Sequence, residues 1–187
     1  YKRQIMGDTH RALECDGRAQ SWATKKIPAK AQRKGEPEVH MTGQMRRLST
    51  PWSVAFERSE RIAKANLPPG IILDPAVGSG IHLASICIAT NTVGLGIELD
   101  EEAARFSAAN MNRLLPKGKD PRRIAHRIII GDGVDSLGAL SCLHSSLDAS
   151  GIPSTPPIAM IHLDPARPLD AGRFRRCSCT CLLYTSP

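Results

Sequence analysis

The stretch Ile71-Ile72-Leu73-Asp74-Pro75-Ala76-Val77-Gly78-Ser79-Gly80 restricts the folds open to this chain more than any other. Three apolar residues rich in β-branching predict a buried strand, Asp-Pro ends it, and Gly-Ser-Gly lets the backbone turn into the apolar run Ile81 to Ala89, a predicted helix. A second apolar run, Thr92 to Ile97, ends in Glu98. A β-α-β unit would bring that carboxylate beside the glycine turn, and an acid about 20 residues after the glycines suits the two hydroxyls of a ribose. Glycine has no Cβ and tolerates positive φ, so a ligand can approach the main chain at such a turn. A nucleoside is the expected ligand; the competing reading is a tight βα turn that binds nothing.

Asp74-Pro75-Ala76-Val77-Gly78-Ser79-Gly80 resembles motif I of the class I S-adenosylmethionine-dependent methyltransferases, in the Asp-Pro-x-x-Gly-Ser-Gly form seen among nucleic-acid methyltransferases. The resemblance implies that Asp74, Ala76, Gly78 and Gly80 lie along the methionine part of the cofactor and that Glu98 holds its ribose. The dinucleotide fingerprint G-x-G-x-x-G is not met, because His82-Leu83 follows where a third glycine belongs.

At 187 residues and 41% hydrophobic content the chain has the length and composition of one soluble domain, although only 4% of it is aromatic. No apolar run approaches the roughly 18 to 20 residues that cross a bilayer, and no charged-then-apolar leader opens the chain. A cytoplasmic protein without membrane contact is expected. Nearly all of the net charge of +7 falls within residues 1–47. A basic leading segment fits contact with phosphates, and equally fits a solvated tail.

Tyr1-Lys2-Arg3-Gln4 and Cys181-Leu182-Leu183-Tyr184 can be encoded by complementary DNA strands, and with Thr185-Ser186-Pro187 they resemble a transposon-end adapter translated with its insert. Residues 1–4 and 177–187 are therefore expected to be scars on a fragment and to stand outside the fold. That removes most of the force of Cys177-x-Cys179-x-Cys181, whose spacing is in any case narrow for zinc and has no second pair. No metal is expected. Cys15, Cys87 and Cys142 are scattered, as reduced thiols of a cytosolic protein would be.

Residues 5–47 keep neither a period of 2 nor one of 3.6, and are expected to be a basic linker or the remnant of a preceding domain. Trp22, Lys25-Lys26 and Arg33-Lys34 are candidates for nucleic-acid contact. Residues 48–176 are expected to form a partial cofactor-binding domain. It would open with Ser49 or Thr50 capping a helix that has Pro51 at its first position, and Leu67-Pro68-Pro69-Gly70 would end that helix. Several adenine-type methyltransferases carry Thr-Pro before the helix leading into motif I, which implies a place for Thr50 near the cofactor carboxylate; the cap alone also explains it.

Asp100 is expected to cap a further helix, with Glu101 and Glu102 at the positive end of its dipole. Leu99 would then pass near the adenine or ribose. A third strand, Ile124 to Ile130, closes in Gly131-Asp132-Gly133. By the resemblance Asp132 meets the adenine amino group; Gly-Asp-Gly is also a good plain turn. Val134, Leu137, Leu140, Leu143 and Leu147 share one helical face and are expected in the core, and Ile158 to Leu163 is a fourth strand.

That strand leads into Asp164-Pro165-Ala166-Arg167-Pro168. Ligands of open α/β sheets gather at the carboxyl ends of strands, so Asp164 and Asp74 should face one crevice. The segment resembles motif IV of nucleic-acid methyltransferases. Adenine-N6 enzymes carry Pro-aromatic there, to stack a flipped base; Ala166-Arg167 stands instead and is closer to the Asp-Pro-x-Arg of RNA methyltransferases. Asp164 and Arg167 are the implied catalytic pair, although Asp164 also suits a turn and Arg167 could pair with a substrate phosphate or a core acid.

The expected fold is α/β, a Rossmann-like methyltransferase sandwich truncated after about the fourth strand. The expected function is methyl transfer from S-adenosylmethionine to RNA, with no expectation for the oligomeric state. A non-catalytic nucleotide- or RNA-binding domain and an NAD-type oxidoreductase fragment are the alternatives.

Overall fold

A computed structural model describes residues 10–115, 126–134 and 157–164. It is mixed α/β. Four strands, β4 (Ile71–Asp74), β5 (Gly94–Glu98), β6 (Arg127–Ile130) and β7 (Ile158–Ile161), run parallel, as expected. They stand where the four apolar runs predicted, with ends shifted by at most three residues. β1 (Arg11–Glu14) adds antiparallel to β6, and the sheet reads β1-β6-β5-β4-β7. From β4 the chain steps outward to β5 and β6, then returns to lay β7 on the opposite side. Strand order therefore reverses between β4 and β7, the arrangement that opens a crevice at the carboxyl ends of strands. This topology is compatible with a Rossmann-like fold.

The apolar runs without alternation follow from burial on both faces. Every residue of β4 is buried, and Ile72 and Ile97 have no exposed surface. Ile72, Ile128 and Met160 pack on α4 (Ile81–Thr90) and α5 (Glu101–Leu114) through Leu83, Ile86, Ala104, Ala108 and Met111, while Ile71, Leu73, Leu95, Ile97 and Ile129 form a second cluster. Asp100 caps α5 as expected: its carboxylate accepts from the Ala103 N–H at 2.8 Å. Among the described residues no helix is long and apolar enough to cross a membrane.

Three expectations fail. The ordered domain does not begin at Leu48. Between β1 and that residue lie α1 (Gly17–Lys26), a two-stranded ladder of β2 (Lys30–Ala31) and β3 (Glu38–Val39), and α2 (Gly43–Leu48). These elements are built into the same unit: Ala23 of α1 is buried against Phe106 and Ala109 of α5, and Val39 and Met41 are buried with Ile81. Residues 11–47 are thus neither a linker nor part of another domain. Trp22 rests on Phe106, with ring centroids 5.0 Å apart and Arg105 over its face, so packing accounts for it.

Nor does Ser49 or Thr50 cap the next helix. Ser49 is the C-cap of α2, and α3 (Trp52–Ala63) starts with Pro51 in the N-cap position and no side-chain cap. A proline disfavours helical backbone in the residue before it, which keeps Thr50 outside the helix. The capping explanation of Thr50 falls. α3 then packs along α4, where the Ser59 and Ser85 hydroxyls share a buried hydrogen bond of 2.8 Å. Of the apolar stripe expected in the core, Val134 is instead 89% exposed, in the turn that follows β6, and Leu137 to Leu147 lie outside the described residues.

Candidate functional site

The carboxyl ends of the four parallel strands open on one cavity of about 840 Å³, within the range of cofactor sites. Thr50, Asp74, Ala76, Gly78, Glu98, Leu99, Asp132 and Asp164 all line it. Each strand delivers its acid there: Asp74 and Glu98 end β4 and β5, and Asp132 and Asp164 follow β6 and β7. Parallel strands end on one side of a sheet, so a series of strand-end acids converges without any local signal that it will do so. Gly80 does not line the cavity, and Arg167 lies outside the described residues.

The glycine turn takes the form its residues require. Gly78 and Gly80 have φ of +55° and +76°. A Cβ on Gly78 would meet only the Ala76 carbonyl, at 3.9 Å, so the space beside that main chain is open. A Cβ on Gly80 would stand 2.6 Å from the Ser107 hydroxyl; that glycine lets the turn close on α5 and does not face a ligand. Of the two glycines expected beside a ligand, only Gly78 borders open space.

Glu98 reaches the turn directly. Its Oε2 accepts from the Gly78 N–H at 3.0 Å, and its Oε1 accepts from the Asp100 N–H at 3.1 Å. An ionised carboxylate offers about four lone-pair sites, so two acceptor positions remain for a pair of vicinal hydroxyls. The half-buried Glu98 is thus fixed by backbone donors on both oxygens and aimed into the cavity. The open cradle at Gly78 and this spare acceptor capacity fit a nucleoside cofactor. Leu99 is 72% exposed, an apolar side chain in the same cavity wall. Asp132 accepts from the Val134 N–H at 2.9 Å, which is turn chemistry, and it also lines the cavity.

A buried asparagine ties the leading segment to this turn. Asn110 of α5 accepts from the His40 N–H at 2.7 Å and donates to the carbonyls of His40 and Ser79, both at 2.9 Å. The ring of His40 is held by Ile27 and Gln20. Residues near 40 therefore brace the glycine loop from behind.

The β4–β7 end carries a second group, which the sequence reading missed. His162 Nδ1 and Asp74 Oδ2 are 2.9 Å apart and both residues are buried, while Asp74 Oδ1 accepts from the Ala76 N–H. Burial opposes protonation of His162, yet the hydrogen bond and charge of Asp74, helped by Asp164, outweigh it and raise its pKa. The ring of His82 meets that of His162 edge-on, with centroids 4.2 Å apart. Burial, then the charges of His162 and Arg58, push His82 down to about 3, so it is neutral at physiological pH. Each histidine stands two residues from a residue already singled out, His82 after Gly80 and His162 before Asp164. In extended chain that spacing means a shared face, a signal that could have brought His162 and Asp164 together.

Cys87 is buried and Cys15 half-buried, and burial raises both thiols, so neither is a reactive thiolate. No family model, curated protein or solved structure matches this chain.

Proposed function

We propose that this chain binds S-adenosylmethionine in the crevice at the carboxyl ends of β4, β5 and β6, and that it belongs to an RNA methyltransferase. The observation that carries the reading is the hydrogen bond from the Gly78 N–H to Glu98 across an open cradle, next to a cavity of about 840 Å³. Glu98 takes the ribose hydroxyls, Gly78 and Ala76 border the methionine chain, and Thr50 meets its carboxylate. Leu99 and Asp132 serve the adenine. The bound cofactor supplies a methyl group on a sulfonium, which is the electrophile. The protein's task is then to hold the accepting atom in line and to exclude water. Asp164, at the half-exposed mouth beyond β7, is placed to accept a hydrogen bond or proton from the acceptor group. RNA as the acceptor is supported by the resemblance of Asp164-Pro165-Ala166-Arg167 and by exposed Arg18, Lys25, Lys26, Lys30, Arg33, Lys34 and Arg47 on the leading segment.

Equilibrium dialysis of the full chain with labelled S-adenosylmethionine and with labelled NAD tests the cofactor. The methyl donor is expected to bind and NAD not to. Hydrogen bonds to a charged group contribute about 1.5 to 3 kcal/mol, so Glu98→Ala should weaken binding about ten- to hundredfold. NAD binding in place of the methyl donor would overturn the reading in favour of an oxidoreductase. Transfer of label to RNA, DNA or protein substrates then tests the acceptor, and cofactor binding without transfer favours a binding module.

A further inference from the structure

We propose that His82, His162 and Asp164 form a site for a divalent transition-metal ion at the β4–β7 end of the crevice. This goes beyond methyl transfer and does not depend on it. Each of the three residues offers one ligand atom, and these atoms lie within 4.8 Å of one another. His162 and Asp164 follow β7 two residues apart, and His82 comes from the first turn of α4, so the set joins the end of one strand to the start of one helix.

Three features favour an ion over a purely structural cluster. The first is His82: its side chain is only 12% exposed, yet among the described residues neither ring nitrogen has a hydrogen-bond partner. Buried polar atoms are rarely left so, because each has given up its hydration with nothing in return. A metal bond satisfies one of them. The second is the orientation of His162. With Nδ1 engaged by Asp74 at 2.9 Å, Nε2 is left to ligate, and a carboxylate holding the far nitrogen is the usual support of a metal-binding imidazole. The third is the gap of 3.9 Å between His82 Nδ1 and Asp164 Oδ2. That is too long for a hydrogen bond. Ligands at about 2.0 to 2.1 Å from a tetrahedral ion sit roughly 3.3 Å apart, so atoms now within 4.8 Å of one another must draw in by up to about 1.5 Å, and the partly exposed Asp164 has the freedom to move.

Two imidazoles with one carboxylate suit Zn²⁺, Fe²⁺ or Co²⁺ and are poor ligands for Mg²⁺ or Ca²⁺. Asp164 and both histidines line the crevice, so the coordination positions left over face it, open to water or to a substrate oxygen or nitrogen.

The test is titration of Co²⁺ into the full chain after chelation and dialysis, followed by absorption. The expected result is saturable binding of one ion with d–d bands in the visible and no thiolate-to-cobalt charge transfer. His82→Leu and Asp164→Asn should each weaken it more than about tenfold, whereas replacing Cys177, Cys179 and Cys181 by serine should leave it unchanged. Asp164→Asn alters a partly exposed side chain and should stay folded, so a misfolded His82 variant does not shield the proposal. Absence of the d–d bands, charge-transfer bands that vanish with the cysteines, or parent-like binding by Asp164→Asn would each overturn it. Glu98→Ala should bind cobalt normally, so this site and the methyl-donor reading can fail separately.

Discussion

The β4–turn–α4–β5 unit and the segment from β1 to α2 pack into one structure by different means. In the first, the parallel ladder is flanked on both faces by Ile and Leu side chains with almost no exposed surface, and the turn is closed by main-chain N–H groups on Glu98. In the second, only Ala23, Val39, His40 and Met41 are buried, and polar side chains make the connections. Asn110 clasps His40, Arg113 reaches the Glu38 carboxylate at 2.9 Å, and Arg127 pairs with Glu14 at 2.9 Å. Exposed pairs contribute little, about 0 to 1 kcal/mol each, so the buried contacts decide whether the segment stays. The β4–turn–α4–β5 unit is thus stabilised by burial of its own sequence, whereas the leading segment takes its structure from the surface it covers.

The dependence runs both ways, which gives the largest expected effect. Deleting residues 1–47 would uncover Phe106, Ala109 and Ile81 and leave Asn110 without His40. Exposing a fully buried Phe or Ile costs about 1.5 to 3 kcal/mol each, against a total stability of about 5 to 15. Residues 48–187 alone should lose cooperative thermal unfolding when followed by circular dichroism. A cooperative melt within a few degrees of the full chain would show that the segment is an accessory after all.

Asn110→Ala cuts the same connection at one point. It strands the His40 N–H and the carbonyls of His40 and Ser79, so a loss of about 3 kcal/mol is expected from urea unfolding. Because Ser79 belongs to the glycine turn, methyl-donor affinity should fall too. If stability drops and affinity does not, the brace and the turn are independent.

Gly80→Ala attacks the turn from the other side. Its Cβ would lie 2.6 Å from the Ser107 hydroxyl and 3.1 Å from the Ser107 carbonyl oxygen, at a φ of +76°. The expected cost is about 2 kcal/mol, from strain and a forced shift of α5. The same change at Gly78, where the space is open, should cost less stability and more cofactor binding. Equal losses of both kinds at the two positions would remove the distinction between a packing glycine and a ligand-facing one.

What could be read in the sequence follows this division. β4 and β5 announce themselves because strands buried on both faces must be continuously apolar, and Asp100 because a cap depends on residues three positions away. The approach of Glu98 to Gly78 follows from β-α-β connectivity. β1 could not be read, since Arg11-Ala12-Leu13-Glu14 is short, only half-buried at its centre, and pairs with residues of β6 more than a hundred positions away. Gly17 to Lys26 buries Ala23 alone, too little for an apolar stripe to show. The histidine cluster was hidden for a related reason: Asp74 and His162 are separated by 88 positions. Thr50 misled because a capping residue before proline fits the helix-start pattern, although the proline itself took the cap position.

The smallest effect concerns the part of the leading segment that is locally encoded. Asp16 caps α1, its Oδ1 accepting from the Arg18 and Ala19 N–H groups at 2.9 and 3.0 Å. The slight burial of the carboxyl would raise its pKa, but the Ala19 and Arg18 hydrogen bonds outweigh that and lower it below the ordinary 3.8. A carboxyl whose pKa is lower folded than unfolded stabilises the fold above the unfolded value, and the contribution fades as pH falls through the folded one. Asp16→Ala should therefore cost about 1 kcal/mol at neutral pH, and the gap between parent and variant urea midpoints should narrow below pH 3.8. Because α1 covers Phe106 through Ala23 and Trp22, well away from the cap, methyl-donor affinity should not change. A variant that loses that affinity along with its cap would mean that the fraying of one helix end reaches the crevice, and that the leading segment controls the site as well as covering its back.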